Sequence, residues 1–268
     1  MDKLLFDDIV SDTLLIPLWM RAEESRRTDR LFEDKEAEEL VRLLSVDFSK
    51  FENKKLTRVG TAIRVSLFDH WAQRTLRRKN PVLVHLGCGL DNRFSRVDNG
   101  EGIHINIDLP EVISFRNKLN INNNERNIFM VGSILETEWM DSLLDKYPEG
   151  SFSFFIEGVL VYFTEQQVKQ LFIELIKRFR GASICFDGYS NRLVKKSDSH
   201  ETVGQMKARF KWGIDDIKQL ENWSPHLKHV STDYMMKLHP RKWGRYSLVR
   251  LIPGMAKCAF VSIFRITP

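Results

Sequence analysis

The stretch Pro81-Val82-Leu83-Val84-His85-Leu86-Gly87-Cys88-Gly89-Leu90-Asp91 decides the fold. A short aliphatic run that breaks into two closely spaced glycines reads as a strand ending in a sharp turn, where the backbone can approach a ligand with no Cβ in the way. Taken alone, the Gly-x-Gly pair is equally well a plain strand-to-helix turn. Similar apolar runs recur downstream at 103–107, 128–131, 152–156 and 183–187. Helical candidates lie between them at 109–120, 137–146 and 165–180, the last introduced by Thr164 as N-cap. This alternation predicts an α/β fold with a doubly wound parallel sheet, which two late strands at 227–233 and 258–266 bring to seven mostly parallel strands.

Upstream of that stretch, residues 3–79 read as helical. Apolar residues recur at three- and four-residue spacing in Ala37, Leu40, Val41 and Leu44, and again in Ile63, Leu67 and Trp71. The polar stretch 191–209 reads as an exposed helical insertion, a lid or connector. No internal repeat, low-complexity tract or flexible linker interrupts the chain, so the N-terminal helices are expected to pack on the sheet.

Composition narrows the function classes. The 268 residues are 43% hydrophobic and 29% charged, ordinary for a folded globular chain long enough to enclose a pocket. With 41 basic and 36 acidic residues the net charge is only +5, which does not compel nucleic-acid binding. The basic cluster of Arg74, Arg77, Arg78 and Lys79 reads as a solvated helix face. Cys88, Cys185 and Cys258 form no metal-ligand spacing, and the seven histidines lack the i, i+4 pairing of zinc hydrolases, so reduced thiols and no metal are expected. The N-terminus is unlike a secretory signal and no run of about 20 apolar residues exists. A soluble cytoplasmic protein with no membrane partner is expected.

Asp108 falls 19 positions after Gly89, at the end of the next strand in Asn106-Ile107-Asp108-Leu109-Pro110. A carboxylate there can accept both hydroxyls of a ribose, or it can cap the helix that begins at Leu109 and Pro110. The third strand ends at Gly132-Ser133, and Ser133 with Leu135 and Glu136 either contacts an adenine or simply starts a helix. Glu157, at the end of the fourth strand, follows Phe154, Phe155 and Ile156 and needs a positive partner, either a ligand ammonium or a structural Arg or Lys. A dinucleotide loop would carry a third glycine, but Asn92 stands at that position, which weakens the reading as a nicotinamide oxidoreductase.

In order, Arg64, Leu86 to Arg93, Asp108-Leu109-Pro110, Ser133 to Trp139 and Glu157 to Tyr162 resemble the leucine carboxyl methyltransferase family, in particular its bacterial branch similar to tetracenomycin-type polyketide O-methyltransferases. The resemblance extends over nearly the whole chain, including Thr13-Leu14 to Arg21-Ala22 and Leu31-Phe32-Glu33-Asp34. It implies a Rossmann-like class I sheet binding S-adenosyl-L-methionine. Gly87, Cys88 and Gly89 would lie against the cofactor, Asp108 and Leu109 at its ribose, and Ser133, Leu135 and Glu136 around its adenine. Arg64 would pair with the methionine carboxylate, assisted by Arg21, and Glu157 would lie near the amino-acid end. A bidentate guanidinium suits a carboxylate; the alternative is an arginine on a helix surface. Asn106 stands where the family commonly has an acidic residue and Asn92 where Thr is usual, and the elements that recognise a protein's terminal carboxylate are not found here. The chain is expected to be one methyltransferase domain, 1–268: a helical cover at 1–79, the cofactor-binding half at 80–190, a lid insertion at 191–225 and final strands at 226–268.

A sulfonium is already an activated methyl donor, so the protein mainly aligns an acceptor oxygen and excludes water. A carboxylate, ionised at neutral pH, needs no base, whereas a phenol benefits from one. With no obvious catalytic histidine, the expected reaction is methyl transfer to a carboxylate, or else a hydroxyl, of a small-molecule acceptor. Tyr162 either orients that acceptor or packs in the core. The acceptor is expected between the sheet edge, the N-terminal helices and the insertion, where Phe210 and Trp212 line its site or anchor the lid. A non-catalytic or RNA-binding protein on the same fold is the third possibility, and it lacks a concentrated basic surface with interleaved aromatics.

Overall fold

The structure, a computed structural model, describes residues 11–119, 124–196 and 209–268, with side chains from Thr13 onward. Parts of three expected helical stretches, 3–10, Asn120 and 197–208, lie outside the described residues. Helices α1 (Ser11–Ser25), α2 (Lys35–Leu43) and α3 (Lys55–Thr75) precede the sheet. There follow β1 (Pro81–Leu86), α4 (Phe94–Val97), β2 (Ile103–Asp108), α5 (Pro110–Lys118), β3 (Asn127–Val131), α6 (Glu138–Lys146) and β4 (Ser151–Ile156). The chain continues through α7 (Glu165–Arg178), β5 (Ser183–Tyr189), α8 (Asn191–Lys195), β6 (Leu227–Tyr234), α9 (Pro240–Trp243) and β7 (Ala259–Ile266). Every expected strand is present, with ends moved by one or two residues. Among the described residues no helix is long and apolar enough to cross a membrane.

The strand order is β3-β2-β1-β4-β5-β7-β6. β1 pairs in parallel with both β2 and β4, Val84 lying between Ile105 and Phe154. Only β7 runs against its neighbours β5 and β6. The chain therefore winds outward from β1 to β3 and then restarts at β4, leaving a crevice at the carboxyl ends of β1 and β4.

Alternation along β1 explains why both faces are covered, since successive side chains point to opposite sides. Val82, Val84 and Leu86 join the core under α6 and α7, with Trp139, Leu143, Phe172 and Phe179. Leu83 turns the other way, into a core with Phe68, Ala72 and Leu76 of α3. Thr164 caps α7 as expected, its side chain accepting from the Gln167 amide while Gln167 reaches back in a capping box. Helices α1 and α2 pack on each other, with Leu90 and Phe115 in their shared core.

Arg78 is not simply solvated: it is half-buried and reaches Ser153 Oγ at 3.3 Å under the strand ends. Between β6 and β7, where the sequence pattern assigned nothing, residues 235–258 fold into α9 and three 3-10 turns, Met235–Lys237, Gly244–Leu251 and Met255–Lys257. This connection packs on α3 through Met235, Met236 and Trp243 against Val59 and Ile63.

Candidate functional site

A cavity of about 840 Å3 opens at the carboxyl edge of the sheet, enclosed by α1, α3, the loops after β1, β2, β3 and β4, and the 235–258 connection. Its size is within the range of small-molecule sites. One end is polar and built by the loops together with Arg21 of α1 and Arg64 of α3. The other is apolar and built by α3 and the connection.

At the polar end, Gly87 and Gly89 both adopt left-handed φ, 69° and 52°. A Cβ on Gly87 would come within 2.5 Å of Val159, so both the turn and the packing require glycine there. The Gly89 amide donates to Asp108 Oδ2 at 2.7 Å, and the Leu109 amide donates to Oδ1 at 2.8 Å. Asp108 thus ties the loop after β1 to the end of β2, and burial raises its pKa despite these backbone donors. It does not cap α5, whose N-cap is Leu109 without a side-chain cap bond. Three successive loop carbonyls accept from guanidiniums. Arg116 donates to the carbonyls of Gly89 and Asp91, and Arg21 donates to that of Leu90 at 2.8 Å. Arg21 otherwise holds Asp34 at 2.9 Å.

Arg64 is no surface arginine. From α3 it donates to Glu157 Oε1 at 3.0 Å and Asp187 Oδ2 at 3.2 Å, and those two carboxylates outweigh burial and hold its pKa above the ordinary guanidinium value. Glu157 therefore has structural arginine partners, Arg64 and also Arg93, whose Nη2 lies 2.6 Å from Oε2. Asp187 accepts from the Gly158 amide at 2.6 Å as well, and burial raises its pKa in spite of Arg64. From Arg93 the alternation of charge continues under the cavity floor. Arg93 holds Asp69 at 2.7 Å, and Arg96 holds Asp69, Asp91 and Asp34, each at 2.8 Å. Burial pushes Asp91 up, but Arg96, Arg21 and Arg93 together overcome it and hold the carboxyl well below its ordinary range.

His85, Asp91 and Glu157 bring ligand-type atoms within 4.8 Å of one another. The positive charge among them is the Arg93 guanidinium, which contacts all three. A guanidinium can only donate, so the His85 ring nitrogen facing Arg93 accepts, in keeping with a pKa that burial and Arg93 push well below 6.5.

Of the residues singled out from the sequence, Arg64, Gly87, Cys88, Gly89, Asp108, Leu109, Ser133, Glu157 and Tyr162 line the cavity, as does Arg21. Leu135 and Glu136 lie outside the lining. Leu135 is exposed, and Glu136 folds back so that its carboxylate accepts from the Ser133 amide at 3.2 Å. Asn92 and Asn106 belong to a buried relay: Asn106 donates to Asn127, Asn127 to Asn92, and Asn92 to Glu36 at 2.7 Å. Asn92 is thus committed beneath α2. Phe210 lines the cavity in contact with Tyr162 and Tyr189, whereas Trp212 is buried against Phe186. The sequence reading passed over Asp187, Arg93, Asp69 and Arg116. Asp187 carried the signal that marked Glu157, an acid closing an apolar strand; the others sit on or beside helices, where only packing reveals an inward charge.

At the apolar end the lining includes Leu56 and Gly60 of α3, Leu193, and Met235, Met236, Trp243, Val249, Met255 and Ala259 of the connection and β7. Burial raises Cys88 to about 12, Cys258 to about 11 and Tyr189 to about 12, and it raises Tyr162 too. Among the described lining residues, none of these groups is poised to take a proton near neutral pH.

The model of the Leucine carboxyl methyltransferase family matches residues 15–176. The chain is similar to "Tetracenomycin polyketide synthesis O-methyltransferase TcmP" of Streptomyces glaucescens, at 30% identity over 82% of this chain and 80% of that protein. It is also similar to "S-adenosyl-L-methionine-dependent methyltransferase dpfgK" of Gibberella zeae, at 26% identity over 85% of this chain and 82% of that one. Among solved structures, N-methyltransferase NodS from Bradyrhizobium japonicum with S-adenosyl-L-homocysteine shares the fold at a TM-score of 0.51 and 11% identity, covering 86% of this chain and 98% of that one.

Proposed function

The chain belongs to the leucine carboxyl methyltransferase family and is an S-adenosylmethionine-dependent methyltransferase; from that premise we propose that it methylates a carboxylate oxygen of a small apolar, polyketide-like acceptor. The observation that carries this reading is the division of one cavity into a polar end centred on Asp108 and Arg64 and an apolar end that offers no general base among its described residues. The chain acts as one catalytic unit, with helices α1 to α3 and the described residues 191–196 and 209–225 covering the sheet.

The residues present fit the cofactor. Gly87 and Gly89 form a cradle that side chains would fill, and the half-buried Asp108 carboxylate keeps lone pairs for ribose hydroxyls beyond the two amides it already accepts from. Ser133 would border the adenine, while Leu135 and Glu136 stand on the same loop beyond the lining. The Nη2 edge of Arg64, beside Gly158, would receive the methionine carboxylate, and Glu157 would face the ammonium. When bound, the cofactor supplies an activated methyl group.

The chain's own residues then position and exclude. Leu14, Leu109 and Val159 cover the polar end, while Met235, Met236 and Trp243 hold the acceptor's apolar body. Tyr162, which stays protonated at neutral pH because burial raises its pKa, orients the acceptor oxygen as a hydroxyl donor. Lys211, exposed at the cavity wall, draws an anionic acceptor inward. A carboxylate arrives ionised and leaves no proton to be removed, which suits a site whose lining thiols and phenols are held protonated.

Calorimetric titration with S-adenosylmethionine and, in parallel, with a nicotinamide dinucleotide tests the cofactor half: only the former should bind. Methyl transfer to aromatic carboxylic acids against matched phenols tests the acceptor half. Faster methylation of the phenols would overturn the carboxylate assignment and leave the cofactor assignment standing.

A further inference from the structure

The last 35 residues, 234–268, contain seven Lys and Arg residues and no Asp or Glu, so the rest of the chain carries two more acidic than basic residues. The excess positive charge of the protein is thus concentrated in the connection and β7. Lys242 is paired with the buried Glu24 at 2.6 Å, but Lys237, Arg241, Arg245, Arg250 and Lys257 are exposed and make no ion pair with a described residue.

Apolar surface is concentrated in the same place. Leu251 is 73% exposed, Leu248 64% and Ile252 47%. They lie on or just after the 3-10 segment Gly244–Leu251, where three residues make a turn and side chains at i and i+3 eclipse. Arg245, Leu248 and Leu251 therefore form one outward row. On the adjacent row, Tyr246 and Val249, the Val249 side chain turns into the cavity wall, and Ile252, just past the segment in extended backbone, stays exposed. One short segment thus presents alkyl groups between cations on its outside and lines the acceptor end on its inside.

We propose that the face formed by Leu248, Leu251 and Ile252 with Arg245 and Arg250 docks on an anionic lipid surface, from which an apolar acceptor can reach the adjoining chamber. Exposed leucines flanked by Lys and Arg are the composition of an interfacial anchor: the alkyl groups enter the acyl boundary and the cations meet the headgroup charge. A second copy presenting the same face would bring like charges together. A nucleic acid would draw on stacking aromatics rather than a leucine row. The absence of a spanning segment, on which the expectation of no membrane partner rested, does not bear on a surface contact. The docking face does not depend on which oxygen is methylated.

The test is cosedimentation of the full chain with vesicles of about 3:1 phosphatidylcholine to phosphatidylglycerol, against pure phosphatidylcholine, at about 0.1 M salt. Binding should be at least tenfold tighter to the anionic vesicles and should weaken as salt rises. The double variants Arg245→Glu/Arg250→Glu and Leu248→Ser/Leu251→Ser should each lose about tenfold or more, with calorimetric affinity for S-adenosylmethionine unchanged as the check on folding. Equal binding to both vesicle types, no binding to either, or indifference to either double variant overturns the proposal. So does a concentration-dependent dimer that Leu248→Ser dissociates, or capture by polyglutamate without vesicle binding, which would assign the face to an acidic polypeptide.

Discussion

The two ends of the cavity are built on opposite principles. At the polar end, side chains from α1, α3, α4, β4 and β5 are locked by charge: Arg21, Arg64, Arg93 and Arg96 interleave with Asp34, Asp69, Asp91, Glu157 and Asp187. At the apolar end, Met235, Met236, Met255, Val249 and Trp243 line a chamber whose long, soft side chains can repack. One end is fixed by charge pairing and the other is free to repack. The difference also explains where breakage should hurt, since a buried charge cannot relax around a lost partner as a methionine can.

The largest effect expected from a substitution is at Arg96. Arg96→Met leaves Asp34, Asp69 and Asp91 short of a counter-charge and should cost roughly 3–5 kcal/mol in denaturant-monitored unfolding. A loss under about 1 kcal/mol would show that the charge lattice is not what fixes the polar end. Next is the pH response beside that lattice. His104 is buried against Phe94, and burial pulls its pKa to about 4. Its folded value is below its unfolded value, so the unfolded chain takes up the extra proton, and stability should fall as pH drops from about 6.5 to about 4. The contribution of His104 is roughly 3 kcal/mol, and His104→Leu should flatten the profile over that window.

Cofactor affinity should follow the same boundary. Arg64→Ala and Asp108→Ala should each weaken S-adenosylmethionine binding by about 10- to 100-fold, the worth of a hydrogen bond to a charged group, whereas Arg78→Ala should leave it unchanged in calorimetry. Equal affinities in all three would break the assignment of the polar end. The smallest effect belongs to the other end. A Cβ on Gly60 would meet the Trp243 ring at 3.8 Å, an ordinary contact, so Gly60→Ala should stabilise α3 by about 0.5–1 kcal/mol. It should leave cofactor affinity alone and raise KM only for bulky acceptors, as a set of acids of graded size would show.

Legibility in the sequence divides along a related line. Gly87, Gly89, Asp108 and Glu157 stand at strand ends, where the run of apolar residues stops at a place that can be counted, and the structure brings all four to one cavity. Leu135 and Glu136 were read from the same kind of position yet lie beyond the lining, because the turn after β3 folds Glu136 back on the Ser133 amide. Arg93, Asp69 and Arg116 gave no local sign. A charged residue on a helix looks solvated until the facing surface is known. The 235–258 connection was equally silent, since short 3-10 turns carry no long period.

By itself, then, the sequence determined the seven strands, the helices α5, α6 and α7 between them and the strand-end residues, because hydrophobic periodicity and glycine placement are local consequences of backbone geometry. Only the tertiary structure decided that Arg64 meets Glu157 and Asp187 across 93 and 123 positions of chain, and that a late connection walls the apolar end of the cavity. Contacts so distant along the chain are set by how the layers pack, and no local pattern of residues records them.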